Sequence, residues 1–345
     1  MTTISFAGHT IGDGRPCFVV AEAGVNHNGD LALAHRLIDI AADARADAVK
    51  FQTFKAARLA SAHAEKADYQ RRGTSEGSQL EMLQALELSE SAHRELKAHA
   101  EERGILFLST PFDEEAADFL EGLGVALFKI PSGELTNLSF LAHVAKKGRP
   151  MLVSTGMATM REVAEAVDVI APVPSVLLHC VSRYPAPSED VNLRAMHTMA
   201  TAFGLPVGYS DHTLGIEVAI AAVARGAVVI EKHFTSDRAL AGPDHAASLE
   251  PHELSELIRS IRSVEQALGD GRKRPTAGEA AIARVARKSL VYARALSKGH
   301  RLMPGDVVLR RPGTGLPPGA KESVVGRMLA RDVDEGDLVA LEGLA

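Results

Sequence analysis

The 345-residue chain predicts a (β/α)8 barrel followed by a small β-rich domain, and three features of its sequence carry that reading. Short apolar runs alternate eight times with segments of helical spacing, the strand–helix count of a (β/α)8 barrel. Each apolar run leads into a polar cluster. Beyond residue 269 the alternation stops, and short strand-like runs are separated by Gly and Pro turns.

In order, residues 4–8 form a lead that can pair as a hairpin with 10–11. Strands are predicted at 17–21, 48–51, 105–108, 126–130, 151–153, 176–178, 206–208 and 228–230. Helices are predicted at 31–46, 79–103, 114–123, 138–147, 160–170, 193–203, 215–224 and 252–268. Several end in glycine (Gly104, Gly124, Gly148, Gly204 and Gly226), the residue that stops a helix in the left-handed conformation. A doubly wound sheet is the competing arrangement, but no Gly-x-Gly-x-x-Gly turn accompanies the repeats, which favours the barrel. The barrel is assigned to 1–270, a polar linker to 271–285 and the β-rich domain to 286–345, with strands at 289–293, 306–310 and 337–341. So small a domain is marginal alone and is expected to lean on the barrel or on a partner chain.

Composition narrows the function. A hydrophobic content of 46% is ample for a large core, and a net charge of −6 gives no support to nucleic-acid or membrane-surface binding. Tryptophan is absent and aromatics make up 4% of the chain, so a stacking platform for bases or glycans is not expected. No apolar run reaches the roughly 20 residues of a membrane span. Two cysteines, Cys17 and Cys180, without a leader peptide predict a cytoplasmic protein. Cys180 reads as a buried, inert thiol.

Barrel enzymes place their chemistry at the C-terminal ends of the strands. There the sequence offers Glu22, Lys50, Gln52, Thr110, Lys129, Ser132, Glu134, Ser154, Ser182, Tyr184 and Ser210. Lys50 and Lys129 with the hydroxyls suit a ligand bearing phosphate and carboxylate groups. Each Ser or Thr taken singly also fits a helix N-cap. Glu22 and Glu134 are acid/base candidates, and Glu22 can equally pair with Lys50 on the next strand. His212 and His233 end two strands joined by one crossover, with Asp244 on the following loop. Two neutral imidazoles converging on a cleft suit a divalent metal. Lysines at strand ends also raise a Schiff-base aldolase, with Lys50, Lys129 and Lys232 as candidates, although such an enzyme needs no metal.

The motifs AEAGVNHNGD, KFQTF, STPFD, FKIPSGE, STGM, HCVSRYPAP, GYSDHT, EKHF and GPDHAASLEP stand in the order found in the sialic acid synthase (N-acetylneuraminate synthase) family, which the chain resembles throughout the barrel. The tail, KSLVYARALSKGHRLMPGDVVLRRPGTGLPP, is similar to that family's C-terminal SAF, or antifreeze-like, domain. The resemblance implies a TIM barrel that condenses phosphoenolpyruvate with an N-acetylated mannose-type sugar, releasing phosphate and forming a nine-carbon 2-keto acid. It implies Mn2+ or Mg2+ on His212 and His233. Phosphoenolpyruvate would lie among Lys50, Thr110, Lys129, Ser132, Ser154, Ser182, Tyr184 and Ser210, and the sugar against Gln52, Glu22 and Asp244. Glu134 is the candidate for proton handling. Arg311, or Arg310 by a one-residue slip, would reach the partner's barrel in a domain-swapped homodimer. Ser182, with the wording HCVSRYPAP and RRPGTGLPP, leans toward the legionaminate branch, whose sugar is 2,4-diacetamido-2,4,6-trideoxymannose rather than N-acetylmannosamine. A carbohydrate- or ice-binding protein centred on residues 280–345 is a further reading, and it leaves the polar strand ends unexplained.

Overall fold

The computed structural model describes residues 3–74 and 77–345, which divide into two compact units, one ending at Gly269 and the other running from Asp270 to Ala345. In the first unit, β1 (Thr3–Phe6) and β2 (His9–Gly12) form an antiparallel hairpin that pairs Ile4 with Ile11. Its two-residue turn, Ala7-Gly8, has positive φ at both positions, which matches the twist of the flanking strands.

Eight parallel strands follow: β3 (Phe18–Gly24), β4 (Ala48–Thr53), β5 (Leu106–Pro111), β6 (Phe128–Ile130), β7 (Met151–Ser154), β8 (Ser175–Cys180), β9 (Val207–Asp211) and β10 (Val229–His233). Their order is β5-β4-β3-β10-β9-β8-β7-β6, so the first strand of the set pairs with the last and the barrel closes there. β5 and β6 lie side by side at the one seam without a hydrogen-bonded ladder, which leaves the barrel nearly closed. The expected (β/α)8 barrel is the fold.

A strand turns alternate side chains to opposite faces. Val19, Ala21, Val49, Phe51, Ile130, Val153, Leu177, Tyr209 and Ile230 therefore belong to the core shared with the surrounding helices. Val20, Ala48, Leu108, Leu127, Leu152, Val176, Leu178 and Val229 fill the barrel interior, where Ile4, Phe6 and Ile11 of the hairpin pack against them. The next inward position of the strands is polar, and that step places the site.

The helices keep close to their predicted bounds, with one exception. The run predicted as a single helix over 79–103 is two, Gln79–Ala85 and Glu90–Glu102. Ser89 breaks it by capping the second helix, its hydroxyl accepting from the Ala92 N–H at 3.1 Å. Short helices at Ala56–Leu59 and Asp68–Gly73 fill the same long connection after β4. No helix among the described residues is long and apolar enough to cross a membrane.

In the second unit a helix, Ala277–Ala286, occupies most of the stretch expected as linker, started by a Thr276/Glu279 capping box. β11 (Ser289–Tyr292) and β12 (Val307–Arg310) pair antiparallel. The strand expected at 337–341 is reduced to a bridge between Val291 and Leu338. Leu290, Tyr292, Leu296, Leu302, Val307, Val324, Leu329, Val333 and Val339 make the core. Asp306, buried at its edge, accepts from Arg294 at 2.9 and 3.0 Å, from His300 at 2.7 Å and from the Met303 N–H at 2.9 Å. The His300 and Met303 donors, with Arg294, hold its carboxyl down at about 2 despite some desolvation.

A carboxyl held below its unfolded value contributes stability above that unfolded value and loses it as pH falls through the folded one. Asp306→Ala should therefore cost the second unit about 2 kcal/mol near neutral pH. The deficit relative to wild type should shrink as pH falls from about 4 toward 2. Urea denaturation followed at several pH values reads both effects.

Candidate active site

Where the inward-facing side chains turn polar, the C-terminal mouth of the barrel holds a cavity of about 410 Å³. Glu22, Lys50, Gln52, Thr110, Lys129, Ser132, Ser154, Ser182, Tyr184, Ser210, His212, His233 and Asp244 line it together, as the strand-end argument requires. Glu22, Lys50, Lys129 and Glu231 are all buried.

Lys50 Nζ lies 2.7 Å from Glu22 Oε2 and donates to Thr110 Oγ1 at 2.8 Å. It also stands 3.9 Å from Glu231 Oε2. Lys129 Nζ donates to Ser154 Oγ at 2.8 Å and lies 3.4 Å from Glu231 Oε1, which accepts from Ser210 Oγ at 3.1 Å. The expected Glu22–Lys50 ion pair thus exists, and it exists inside the cavity. Burial pushes the Glu22 carboxyl up to about 7, against the opposing pull of Lys50. Burial acts the same way on Glu231, but Lys129, Lys50 and the Ser210 hydrogen bond outweigh it and hold that carboxyl below its ordinary value. Two carboxylates pushed apart in this way are equipped to be an acid and a base. Asp244 is raised to about 6 by burial, against the pull of His212 and Lys50.

The imidazoles stand with ring centroids 5.5 Å apart. His212 Nδ1 is 2.7 Å from the Val181 carbonyl, a contact that fixes the proton there and leaves Nε2 for a ligand. His233 Nδ1 is buried without a hydrogen-bond partner. Burial and the neighbouring His212 hold His233 well below its ordinary value, so it is neutral. Two imidazoles on one cavity, His233 neutral with an unsatisfied buried nitrogen and His212 with its Nε2 open, fit a divalent metal completed by water or substrate oxygens. Among the described residues no group of three or more His, Cys, Asp or Glu side chains is placed to hold one by itself.

Glycine gives the mouth its shape at Gly156, where a Cβ would meet Ser182 Oγ at 2.3 Å and Ser132 Oγ at 2.8 Å. The Gly156 N–H donates to Ser132 Oγ at 3.0 Å. The long connection after β4 adds Tyr69, which stacks on Tyr184 at 4.9 Å, and Tyr184 in turn packs on His212 at 4.0 Å.

Glu134 does not line the cavity: the single turn Ser132–Glu134 carries it toward the next helix, where Asn137 Nδ2 donates to its carboxylate at 2.8 Å. Arg311 is exposed in the second unit, its Nε donating to the Ala286 carbonyl at 2.9 Å, while Arg310 pairs with Glu335 at 3.1 Å. Lys232 faces away from the cavity and pairs with Asp211, so it cannot meet a carbonyl substrate there. Glu231, the first residue of the EKHF motif, is the functional candidate the reading of the strand ends passed over. Its signal was its place two residues before His233, on the same face of one strand. Cys180 is buried as expected but lines the cavity, its Sγ 3.7 Å from His212 Nδ1.

A (β/α)8 enzyme with buried lysines and paired imidazoles at its mouth, followed by a small β domain, is the class that fold and site define. The chain belongs to the NeuB family, whose model matches residues 37–273, and a SAF domain matches 287–345. It is 50% identical to an N,N'-diacetyllegionaminic acid synthase of Legionella pneumophila, over 96% of this chain and 95% of that one. A protein of the same name from Campylobacter jejuni is 48% identical, over 94% and 99%. The solved N-acetylneuraminic acid (sialic acid) synthetase of Leptospira borgpetersenii serovar Hardjo-bovis, in complex with citrate, superposes with a TM-score of 0.74 at 37% identity, covering 81% of this chain and 95% of that one. The sialic acid synthase family with its C-terminal SAF domain is therefore the right assignment, and a lysine Schiff-base aldolase is not favoured.

Breaking a buried ion pair from one side strands the other charge and costs about 3–5 kcal/mol. Lys50→Met, which leaves Glu22 without its cation, should lower the urea midpoint strongly, and adding Glu22→Gln should recover most of the loss.

Proposed function

We propose that this chain condenses phosphoenolpyruvate with 2,4-diacetamido-2,4,6-trideoxymannose to a nine-carbon 2-keto acid and inorganic phosphate, in the presence of a divalent metal. The observation that carries the chemistry is the meeting of two buried lysines, a row of hydroxyls and two imidazoles in one cavity. The choice of sugar over N-acetylmannosamine rests on the two diacetyllegionaminic acid synthases at 50% and 48% identity.

In this reading Lys50 and Lys129, with Thr110, Ser132, Ser154, Ser182 and Ser210, bind the phosphate and carboxylate of phosphoenolpyruvate. Gln52, Asp244 and Tyr184 orient the sugar. His212 and His233 would hold Mn2+ or Mg2+. Nitrogen donors favour Mn2+, since Mg2+ prefers oxygen. Bound there, the metal would supply Lewis acidity at the aldehyde oxygen.

Carbon 3 of the enol bonds to the aldehyde carbon, water adds at carbon 2, and the carbon–oxygen bond to phosphate breaks as the ketone forms. The aldehyde oxygen gains a proton, and the water gives up two, one as it adds and the other to the departing phosphate as the ketone forms. Glu22, whose carboxyl at about 7 is protonated part of the time near neutrality, is the donor in this scheme, and ionised Glu231 takes a proton from water. Glu134 has no part in it. We further propose a cytoplasmic, domain-swapped homodimer in which the exposed Arg311 completes a partner's site.

Phosphate release should be faster with the diacetamido sugar than with N-acetylmannosamine and should stop with EDTA, returning on adding Mn2+. Glu231→Gln should lower kcat by about 100-fold or more with little change in phosphoenolpyruvate affinity. Preference for N-acetylmannosamine would move the chain to the neuraminate branch, and phosphate release unaffected by EDTA would remove the metal.

A further inference from the structure

The strands that end in His212 and His233 carry a second polar pair on their outer face. Asp211 immediately precedes His212 and Lys232 immediately precedes His233, so both point away from the cavity while the imidazoles line it. Both side chains are fully buried. Lys232 Nζ donates to Asp211 Oδ2 at 2.7 Å and to the Thr213 carbonyl at 2.5 Å, gripping the residues on both sides of His212. Asp211 Oδ1 closes the loop by accepting from the Thr213 N–H at 2.9 Å, from Thr213 Oγ1 at 2.8 Å and from Tyr209 OH at 3.2 Å.

The location of this clamp gives it its consequence. The ladder between β9 and β10 ends on the pair Lys232↔Asp211. His233 continues in register with Glu22 of β3, whereas the His212 carbonyl accepts from the Ala186 N–H on the loop after β8. Each imidazole thus follows a different neighbour just beyond the last β9–β10 rung. The Lys232 ammonium reaches across the gap at that point.

The geometry points to Asp211 and Lys232 as positioning residues that fix the separation of His212 and His233, and so set the affinity of the metal site. This rests on the proposal that the two histidines bind a divalent metal. A buried ion pair is poor evidence of added stability, because well-packed neutral replacements are often as stable. Groups one layer behind metal ligands, by contrast, commonly change affinity by 10–100-fold when replaced.

The test is Mn2+ binding to the full chain, read from the electron paramagnetic resonance of free and bound ion, for wild type, Lys232→Met, Asp211→Asn and the double variant. Phosphoenolpyruvate binding and thermal unfolding are measured alongside. The expected result is a double variant with near-wild-type unfolding and phosphoenolpyruvate affinity but Mn2+ affinity at least 10-fold weaker. Any folded variant of the pair that binds Mn2+ within twofold of wild type overturns the proposal and reduces the clamp to a stability element, including the case where Lys232→Met alone fails to fold. Wild type that binds no Mn2+ is a different failure, since it overturns the metal reading beneath the proposal.

Discussion

Four charges buried inside a barrel are the constraint on which the rest of this structure depends. Glu22, Lys50, Lys129 and Glu231 sit one inward step above an apolar layer, where an unpaired charge is not tolerated. Their pairing follows from register: Glu22 and Lys50 are ladder partners on β3 and β4, and Glu231 and Ser210 are partners on β10 and β9. A slip of one residue in any of these strands would turn its charge toward the helices and an aliphatic side chain into the site. The charges therefore specify the alignment of the barrel as well as the chemistry at its mouth.

The same set is tuned to accept an anion. Lysine and carboxylate charges nearly balance, and Glu22, with its carboxyl near 7, holds a proton part of the time at neutral pH. Burial and the nearby Lys50 disfavour the charge on Lys129, so an anionic ligand beside it relieves a cost already present. Desolvated charges interact more strongly than exposed ones, which makes the interior a better place for this arrangement than a surface patch of the same composition.

Much of this was legible in the sequence because a parallel barrel leaves a plain record: apolar runs of three to five residues, each ending in a polar cluster. What escaped was whatever depends on facing. Lys232 and Glu231 are neighbours in one strand, yet one lies behind the barrel wall and the other in the cavity. Only the alternation about His233 distinguishes them. Glu134 follows a strand end as the others do, but a tight turn after β6 takes it out of reach, and nothing in SGE itself marks that turn. The helical spacing over 79–103 continues through Leu86 and Leu88, whose burial against the barrel mouth and core hides the break at Ser89.

That broken helix matters to the site. The connection after β4 does not simply return along the barrel but folds over the mouth, bringing Tyr69 onto Tyr184, Met82 and Leu86 onto the cavity wall, and Gly73 against Gly242. The Gly242 N–H donates to the Gly73 carbonyl at 2.9 Å, and a Cβ on Gly73 would stand 2.4 Å from the Gly242 carbonyl oxygen. The covering segment is thus held to the loop bearing Asp244 by a backbone contact that a side chain would obstruct. From Tyr69 the contact runs through Tyr184 to His212, so the cover bears on one imidazole from the front while Lys232 holds the residues on either side of it, Asp211 and Thr213, from behind. An imidazole gripped from both sides has little freedom to follow a metal or substrate. Ligands must fit the spacing the barrel sets, which is the condition for a preorganised electrostatic site.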